Sequence, residues 1–259
     1  MSIRSAAENV YAKRLRQSLT HIPNHVAIIQ DGNRRYAKAH GKDTGYGHRF
    51  GADTTERVLD WMGELGIRHV TFFAFSTENF HRPEKEKEEL HQLFMEKFSA
   101  LLTEERVSRH EINVSVIGDR SLLDEELKKT IQDAETATKN YSHYFVHIAL
   151  AYGGRNEIVA TAKKIVAAVR SGSISADEIT PELVTENMYQ GISMPPVDLI
   201  IRTANDRRTS NFLPWMANGN EAAVCFCTPT WPEFRYVDML HALRVYDCRM
   251  RETLTTDNM

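Results

Sequence analysis

Six short runs of apolar residues, each about as long as a β-strand, limit the folds that this chain can adopt. Nearly all of them are apolar throughout instead of alternating with polar residues, which is typical of parallel strands covered on both faces. The runs are HVAIIQ, HVTFFAF, INVSVIG, FVHIALAY, DLIIRT and AAVCFCT, which begin at residues 25, 69, 112, 145, 198 and 222. This pattern predicts an α/β protein with a central, mostly parallel, six-stranded sheet.

Helical patterns lie between these runs, with apolar side chains repeating every three or four residues. One apolar stripe runs from Val58 to Leu65 and stops at Gly66, and another follows Pro83, which can start a helix. Ser121 and Asp124 resemble a capping box in front of a third stripe. Because strands and helices alternate, we expect one open sheet flanked by helices, with right-handed crossovers, in a single domain.

Length, charge and cysteine content exclude several classes of protein. The chain has 259 residues, of which 42% are hydrophobic, so it can bury the core of one large domain. A formal net charge of −3 gives no reason to expect nucleic acid as a partner. Three cysteines without C-x-x-C spacing suit a reducing compartment. No apolar segment has the length of a membrane span or the features of a signal peptide, so we expect a cytoplasmic protein.

Residues 1–24 are predicted to be an amphipathic helix and a lead-in to the domain, which then spans residues 25–259. Tyr11, Leu15 and Leu19 share one side of this helix. It could lie on an anionic membrane surface. The favoured interpretation is that it packs on its own domain or on a partner subunit.

Polar and charged residues follow four of the six predicted strands. In open parallel sheets, ligands bind beyond the carboxyl ends of the strands, so these positions are the first candidates for a site. Arginines occur there in residues 31–35, 76–82, 153–155 and 202–208. Guanidinium groups bind phosphate oxygens in pairs, and the N–H groups at a helix start add positive potential. The sequence therefore predicts a site for phosphate or diphosphate, and for more than one such group.

Asp31 lies in the middle of this positive field. A bare phosphate would repel its carboxylate, and a Mg²⁺ ion between the two would keep both. A competing interpretation is that Asp31 caps the next helix or pairs with Arg34 or Arg35. The usual nucleotide signatures are missing: there is no P-loop, and GYGHRFG at residues 45–51 is a poor dinucleotide fingerprint.

Six ordered motifs resemble those of the cis-prenyltransferases, the undecaprenyl and dehydrodolichyl diphosphate synthase family. They are HVAIIQDGNRRYAKAHG, FAFSTENFHRPEKE, VIGDRSLL, ALAYGGRNEI, DLIIRTANDRRTSNFLPW and WPEF. The resemblance covers about residues 25–251, and DGNRR and VIGDRSLL look more like archaeal and eukaryotic members than bacterial ones. It implies a Mg²⁺-dependent enzyme that extends an allylic prenyl diphosphate with isopentenyl diphosphate, forms a cis double bond and releases diphosphate.

The resemblance also implies roles for individual residues. Asp31 and Asn79 are the expected catalytic residues: Asp31 would hold Mg²⁺ on the allylic diphosphate, and Asn79 matches the position implicated in removing a proton. Glu221 matches a second metal ligand. The expected substrate-binding residues are Gly32, Asn33, Arg34, Arg35, Tyr36, Thr44, His48, Ser76, Thr77, Glu78, Phe80, Arg82, Arg202, Arg208, Thr209 and Ser210.

A growing prenyl chain and its carbocation need an apolar environment that excludes water. We therefore expect an apolar tunnel between the sheet and the helices, with Tyr36, Phe75 and Phe80 among its walls. Ordinary core packing is the alternative for each of these aromatic residues. A tunnel lining and a core look the same in sequence.

Several positions depart from the family pattern. Thr44 stands where bacterial members usually have an arginine, and Asn205 and Asp206 change the loop after Arg202. The C-terminal R-x-G motif is missing, with residues 249–251 near its place. The leading interpretation is an ordinary synthase with a diverged loop. An atypical condensation, or a subunit whose partner supplies the missing motif, stays open, and a non-catalytic scaffold is least favoured because the motif residues are retained.

The resemblance implies partners as well as substrates. The family is typically dimeric, so we expect a homodimer, with a heterodimer left open. The expected small molecules are isopentenyl diphosphate and an allylic prenyl diphosphate. An apolar product would bring the enzyme to the inner membrane surface without anchoring it.

Overall fold

The computed structural model describes residues 3–217 and 222–256, with side chains for residues 7–217 and 222–253. The strands are β1 (His25–Ile29), β2 (His69–Ser76), β3 (Ile112–Ile117), β4 (Tyr144–Tyr152), β5 (Leu199–Arg202) and β6 (Ala223–Phe226). The helices are α1 (Ile3–Ser18), α2 (Asn33–Ala39), α3 (Thr44–Leu65), α4 (Glu84–Leu101), α5 (Glu105–Arg109), α6 (Glu125–Thr138), α7 (Gly154–Arg170), α8 (Pro181–Asn187) and α9 (Tyr236–Thr256). Over the described residues, none of these helices is long and apolar enough to cross a membrane.

The six strands form one sheet in the order β3-β4-β2-β1-β5-β6. β1 pairs with β5, β5 with β6 and β3 with β4, all in parallel. Every strand coincides with one of the apolar runs, and Val26, Ala27 and Ile28 in β1 are fully buried. The predicted α/β fold class with a six-stranded sheet is therefore confirmed.

Contacts between Cα atoms divide the chain into two compact units. The first contains β1, the start of β2, β5 and β6, with α1, α2, α3 and α9. Ala12 and Leu15 of α1 are buried, and α1 packs on α9. The carboxylate of Asp247 in α9 accepts hydrogen bonds from the backbone N–H groups of Thr20 and His21, at 3.2 and 2.9 Å. The N-terminal helix thus packs within its own unit, as the favoured interpretation expected.

The second unit contains most of β2, together with β3, β4 and the helices α4 to α8. One apolar core of this unit lies between α4, α6 and strands β2, β3 and β4. The buried members of this core are Phe75, Leu90, Phe98, Val116, Leu127, Ile131, Ala134 and Leu150.

Side chains close the free edge of β3, which is an end strand of the sheet. The Val116 N–H donates to Glu135 Oε1 at 2.9 Å, and the Val114 N–H donates to Thr138 Oγ1 at 3.1 Å. Arg120 Nη2 donates to the Val116 carbonyl at 3.0 Å. Because unpaired edge groups invite association with another strand, this cover protects the edge.

The start of α6 differs from the predicted capping box. Asp124 is itself the N-cap, and its side chain accepts from the Leu127 N–H at 2.9 Å. Ser121 lies in a preceding 3₁₀ turn, where its N–H donates to Asp119 at 3.0 Å. The prediction was wrong because Asp119 caps the 3₁₀ turn and Asp124 caps α6. The N–H groups at the start of α6 are thus capped without the Ser121 side chain.

Two histidines begin neighbouring segments of the first unit. His25 starts β1 and is fully buried, and its ring centroid lies 5.8 Å from that of His69, which starts β2. Burial, together with the charges of His25 and Arg68, lowers the pKa of His69 to about 4. His69 is therefore neutral in the folded protein at neutral pH, and its protonation opposes folding.

We predict that the free energy of unfolding falls by about 2 kcal/mol between about pH 7.5 and about pH 5, because only the unfolded state takes up the proton there. The folded pKa of about 4 lies below the ordinary 6.5, so this stability is present above pH 6.5 and lost toward pH 4. Urea denaturation at both pH values measures it. The His69→Gln variant should lose most of the dependence, and a variant at exposed His110 should keep it. Equal pH dependence in the His69→Gln protein would contradict the assignment.

Candidate active site

The carboxyl ends of β1 and β5 meet, and the side chain of Arg202 connects them. β1 and β5 pair in parallel with Ile29 opposite Arg202, which is 3% exposed. Arg202 Nη2 donates to Asp31 Oδ2 at 2.8 Å and to Asp206 Oδ2 at 2.9 Å. Its Nη1 donates to the backbone carbonyl of Arg208 at 2.5 Å. One buried guanidinium group therefore holds two carboxylates and the loop that follows β5.

Two more arginines join this group. Arg208 Nη2 donates to Asp206 Oδ2 at 3.0 Å, and Arg35 Nη2 lies 3.4 Å from Asp31 Oδ1. Arg35 Nη1 also donates to the backbone carbonyl of Ala204 at 2.8 Å. The side chains of Arg35 and Arg208 are 55% and 71% exposed, so solvent and ligands reach them. Three cations and two carboxylates leave a net positive charge, which favours an anion.

Asp31 remains ionised in this environment. Burial by itself would raise the pKa of Asp31, but the hydrogen bond and charge of Arg202 and the charge of Arg35 lower it below its usual value. An ionised, partly buried carboxylate beside exposed guanidinium groups is suited to a metal ion or to orienting the arginines.

The competing interpretation of Asp31 was right in part. Asp31 does pair with Arg35, but the N-cap of α2 is Gly32, with no capping side chain. The strongest partner, Arg202, was not expected, because it lies 171 residues away in sequence and is brought close only by the pairing of β1 with β5.

Gly32 permits the turn that presents Asp31. Its φ of 106° lies in the left-handed region, and a Cβ there would come within 2.7 Å of the Cβ of Thr230. The backbone carbonyl of Asp31 accepts from Thr203 Oγ1 at 2.7 Å and from the Trp231 N–H at 2.8 Å. Hydrogen bonds from two other segments thus hold the backbone of Asp31 in position.

We predict that Gly32→Ala lowers the free energy of unfolding by at least about 3 kcal/mol, because positive φ and a steric clash act together. Gly41→Ala is a matched control: Gly41 also has positive φ, at 64°, but no atom lies within 4 Å of a Cβ placed there. That variant should lose only about 1 kcal/mol. Urea denaturation measures both, and equal losses would show that the contact with Thr230 is unimportant.

The glycines of the segment GYGHRFG bring α2 and α3 together. A Cβ on Gly47 would lie 2.1 Å from the backbone oxygen of Asn33, and one on Gly51 would lie 2.5 Å from Asn33 Oδ1. This oxygen is buried and has no hydrogen-bond partner among the described residues. His48, between these glycines, is buried. The segment is therefore a helix contact that packs against Asn33, which explains why it is a poor nucleotide motif.

An aromatic cluster follows the arginines of α2. The Tyr36 ring centroid lies 4.2 Å from that of His40 and 5.6 Å from that of Phe50. Thr44 is the first residue of α3, next to its N-cap Asp43. Arg34 is exposed on α2.

In the second unit, residues 76–82 form a 3₁₀ turn (Thr77–His81) after β2. Ser76 and Asn79 make a capping box, in which the Ser76 N–H donates to Asn79 Oδ1 at 3.1 Å. The Thr77 hydroxyl donates to Glu78 Oε2 at 3.4 Å. The amide of Asn79 is thus held by backbone in a fixed orientation.

Arg82 is held by Glu86, a residue that was not predicted from the sequence. Arg82 Nη1 donates to Glu86 Oε1 at 3.0 Å, and Glu86 is 3% exposed. The spacing of four residues at the start of α4 was the available signal. A buried carboxylate is costly unless it is paired, so this contact fixes the guanidinium of Arg82.

We predict that Glu86→Gln lowers the free energy of unfolding by about 2 kcal/mol, because it leaves Arg82 without its buried counter-charge. Lys85 and Glu89 form the matched pair at the same spacing, but the Lys85 side chain is 78% exposed. Glu89→Gln should therefore change the stability by less than about 0.5 kcal/mol. Chemical denaturation of both variants measures the difference, and similar losses would contradict the role given to Glu86.

The glycines after β4 serve the fold of the second unit. The Gly154 N–H donates to the backbone oxygen of Asn211 at 2.9 Å, and the Arg155 N–H donates to Asn211 Oδ1 at 2.9 Å. A Cβ on Gly154 would lie 2.2 Å from Pro214 Cδ. These two amides at the start of α7 are already used, so this strand end is a weaker phosphate site than the sequence indicated.

An apolar cavity of about 340 Å³ lies in the second unit, between α4, α6 and the ends of β2 and β4. Charged residues, including Glu84 and Lys87, also line it. Its apolar lining includes Phe75, Phe80, Leu90, Phe94, Leu127 and Leu150. Two of the three aromatic residues expected in a tunnel wall thus line a cavity.

The remaining predicted site residues are Glu221, Thr209 and Ser210. Glu221 lies outside the described residues, so its expected role as a metal ligand stays a prediction. Thr209 and Ser210 belong to the second unit, and Ser210 has a positive φ of 50°. Among the described side chains, no three histidine, cysteine, aspartate or glutamate residues form a metal-binding group.

Comparison with known proteins identifies the family. A family model described as putative undecaprenyl diphosphate synthase matches residues 29–253. A tritrans,polycis-undecaprenyl-diphosphate synthase (geranylgeranyl-diphosphate specific) of Methanosarcina mazei is 46% identical over 233 residues, which cover 89% of this chain and 78% of the relative. The synthase of the same name from Methanocaldococcus jannaschii is 44% identical over 250 residues, which cover 95% of this chain and 89% of the relative.

A solved structure agrees with these relatives. Lavandulyl diphosphate synthase from Lavandula x intermedia, in complex with dimethylallyl diphosphate, aligns with a TM-score of 0.82 at 34% identity. The alignment covers 88% of this chain and 96% of that one. The chain therefore belongs to the undecaprenyl diphosphate synthase family and is a prenyltransferase, as the six motifs predicted.

Proposed function

We propose that this enzyme condenses isopentenyl diphosphate with an allylic prenyl diphosphate and releases inorganic diphosphate. The arginine network around Arg202 and Asp31 is the main support for this proposal. Guanidinium groups bind the paired oxygens of phosphate groups, and the network has net positive charge. Since the archaeal relatives are named as geranylgeranyl-diphosphate specific, we take that diphosphate as the allylic substrate.

Asp31 is the proposed ligand of a Mg²⁺ ion. Mg²⁺ commonly binds one or two protein carboxylates together with substrate phosphates, so the ionised Asp31 carboxylate and a bound diphosphate fit it. When bound, the ion supplies positive charge that stabilises the departing diphosphate. Glu221 is the proposed second ligand.

Arg34 and Arg35, beside Asp31, stabilise the allylic leaving group in this proposal, and Arg202 and Arg208 hold the diphosphate of isopentenyl diphosphate. Ionising the allylic C–O bond puts negative charge on diphosphate oxygens, and donors that are already in place favour that state most. Arg202 is held by Asp31 and Asp206, so it needs little reorganisation when the second diphosphate binds. Arg35 and Arg208 are exposed and available to the substrate. The other proposed contacts to diphosphate in the first unit are Gly32, Asn33 and His48, and Ser210 stays a contact predicted from the sequence.

Asn79 and Arg82 are proposed to act in the second unit, where the product double bond forms. The Ser76 N–H holds the amide oxygen of Asn79. The second lone pair of that oxygen is proposed to accept the proton whose removal ends each condensation. Glu86 fixes the guanidinium of Arg82. The roles of these residues follow from the family resemblance together with these contacts.

The apolar cavity beside Phe80 is the proposed place for the prenyl chain. Its volume of about 340 Å³ falls in the range of small-molecule sites, and its aromatic and aliphatic side chains supply an apolar surface for the chain. Phe80 belongs to the same 3₁₀ turn as Asn79, so the chain and the reacting carbon would lie close together.

We also propose a homodimer. Most apolar residues of α9, such as Met239 and Leu243, are buried inside the first unit. Val224 and Phe226 on β6 and Val245 on α9 are 37%, 37% and 41% exposed, and a second subunit could cover them.

A second candidate function is prenyl transfer to an acceptor other than isopentenyl diphosphate. Asp206 binds both Arg202 and Arg208, and Arg251 Nη2 is bound to Asp247 Oδ2 at 2.5 Å and to the Ser18 carbonyl at 2.7 Å. These contacts occupy the arginines at positions where the sequence departs from the family pattern. Dimethylallyl diphosphate is a candidate acceptor, because the structural relative was solved with it.

Incubation with Mg²⁺, isopentenyl diphosphate and geranylgeranyl diphosphate tests the proposal, with the products identified by mass spectrometry and NMR. We expect a cis-polyprenyl diphosphate. Asp31→Asn should lower turnover by about 10³-fold or more, because it removes charge from the ionising centre. Asp53→Asn, at an exposed residue of α3, is the charge-matched control and should keep full activity.

A parallel incubation with dimethylallyl diphosphate alone separates the two candidates. A coupled product from this incubation, with none from isopentenyl diphosphate, would replace the first proposal by the second. Absence of turnover in both, with a folded protein, would contradict both and favour a subunit that needs a catalytic partner.

A further inference from the structure

Two thiols in the first unit have no part in the proposed reaction. Cys225 lies in β6 and Cys227 follows the end of that strand, and their Sγ atoms are 3.7 Å apart. Residues two positions apart in a strand project from the same face, which brings the two sulfurs together. Cys227 is buried, whereas Cys225 is partly exposed.

The backbone of Cys227 holds the arginine loop, residues 202–208. The Cys227 N–H donates to the Arg202 carbonyl at 2.7 Å, and the Asn205 N–H donates to the Cys227 carbonyl at 2.8 Å. Ala204 and Asn205 have φ values of 66° and 56°, so the loop makes a tight left-handed turn at this point. Such a turn persists only where its surroundings hold it, so the geometry of the loop depends on Cys227.

We propose that Cys225 and Cys227 are an oxidation site, at which a peroxide forms a reversible disulfide that displaces the arginine loop and weakens diphosphate binding. The disulfide itself is independent of the enzyme activity. The effect on diphosphate binding rests on the proposed function.

The chemistry balances with hydrogen peroxide as the oxidant. The thiolate sulfur of Cys225 attacks one peroxide oxygen, an S–O bond forms, the O–O bond breaks, and hydroxide leaves and takes up a proton. The sulfur of Cys227 then attacks the Cys225 sulfur, so an S–S bond forms, the S–O bond breaks and water leaves. Two thiols are oxidised and lose two protons and two electrons, and one peroxide is reduced to two water molecules. A small thiol or dithiol restores both cysteines by exchange.

Cys225 is the residue that reacts first. It is the more exposed of the two, and the hydrogen bond from Cys227 lowers the pKa of the Cys225 thiol. The same hydrogen bond, burial and the charge of Asp238 raise the pKa of Cys227. Peroxide reacts with thiolates, so the exposed member of the pair is the nucleophile and the buried member resolves the intermediate.

Disulfide formation requires movement of the backbone. Two residues in an extended strand have Cα atoms about 6.6 Å apart, near the upper limit for a disulfide, whose usual distance is about 5.5–6 Å. The sulfurs must also approach from 3.7 Å to about 2.0 Å. Shortening the chain between Cys225 and Cys227 moves the Cys227 N–H relative to the Arg202 carbonyl. The loop that orients Arg202 and Asp206 then shifts.

The test uses the full chain, reduced or treated with hydrogen peroxide, then alkylated and analysed by peptide mass spectrometry. Inorganic diphosphate with Mg²⁺ is the binding probe, measured by calorimetry in both states. We expect a peptide with the Cys225–Cys227 disulfide and a dissociation constant about tenfold higher in the oxidised protein, in the usual range for coupled sites. Dithiothreitol should reverse both changes. The Cys248→Ser variant, which removes an exposed cysteine, should behave like the unaltered protein, and Cys225→Ser should show neither change.

Two results would overturn the proposal. One is that both cysteines stay available for alkylation after peroxide, or that Cys225 becomes sulfinic acid without a disulfide. The other is that the disulfide forms but the affinity for diphosphate stays the same. Reduced protein that does not bind diphosphate at all would contradict the proposed function instead, while the mass measurement still decides whether the disulfide forms.

Discussion

The buried guanidinium group of Arg202 is the interaction on which the candidate site depends. A buried charge is costly unless it is paired, and Arg202 is paired with Asp31 and Asp206 at 2.8 and 2.9 Å. These contacts join the end of β1 to the loop after β5. The pairing of β1 with β5 sets the position of Arg202, so the sheet holds this side chain in place. Fixed donors of this kind bind an anion with little reorganisation.

Asp206 has two opposing effects on the arginines of this site. The same carboxylate oxygen accepts from Arg202 and from the exposed Arg208, so it orders both arginines and also competes with an incoming phosphate for them. The loop that carries Asp206 is held by the backbone of Cys227, which places a thiol pair next to the machinery of the site. One short stretch of backbone therefore connects the two thiols to the loop whose arginines are proposed to bind the substrate.

Several features of the fold and site followed from the sequence because they rest on local patterns. The six apolar runs became the six strands, and the stripe from Val58 to Leu65 became part of α3, with Gly66 as its left-handed C-cap. The six motifs were enough to identify the family, because each is a continuous stretch of the chain. The predicted capping box at Ser121 was wrong because neighbouring acidic residues compete for the same helix N–H groups, and only the folded chain decides between them.

The sequence by itself determined the strands, the helices α1, α3, α4 and α6, the family and the set of residues that carry positive charge at the strand ends. The tertiary structure decided which residues contact each other across long stretches of sequence. Asp31 and Arg202 are 171 residues apart, and Asn211 reaches the start of α7 across 56 residues. Gly47 and Gly51 proved to be a helix contact with Asn33. The physical reason is that hydrophobic periodicity and helix capping are local properties of a chain, whereas ion pairs and close backbone contacts depend on which segments the sheet places side by side.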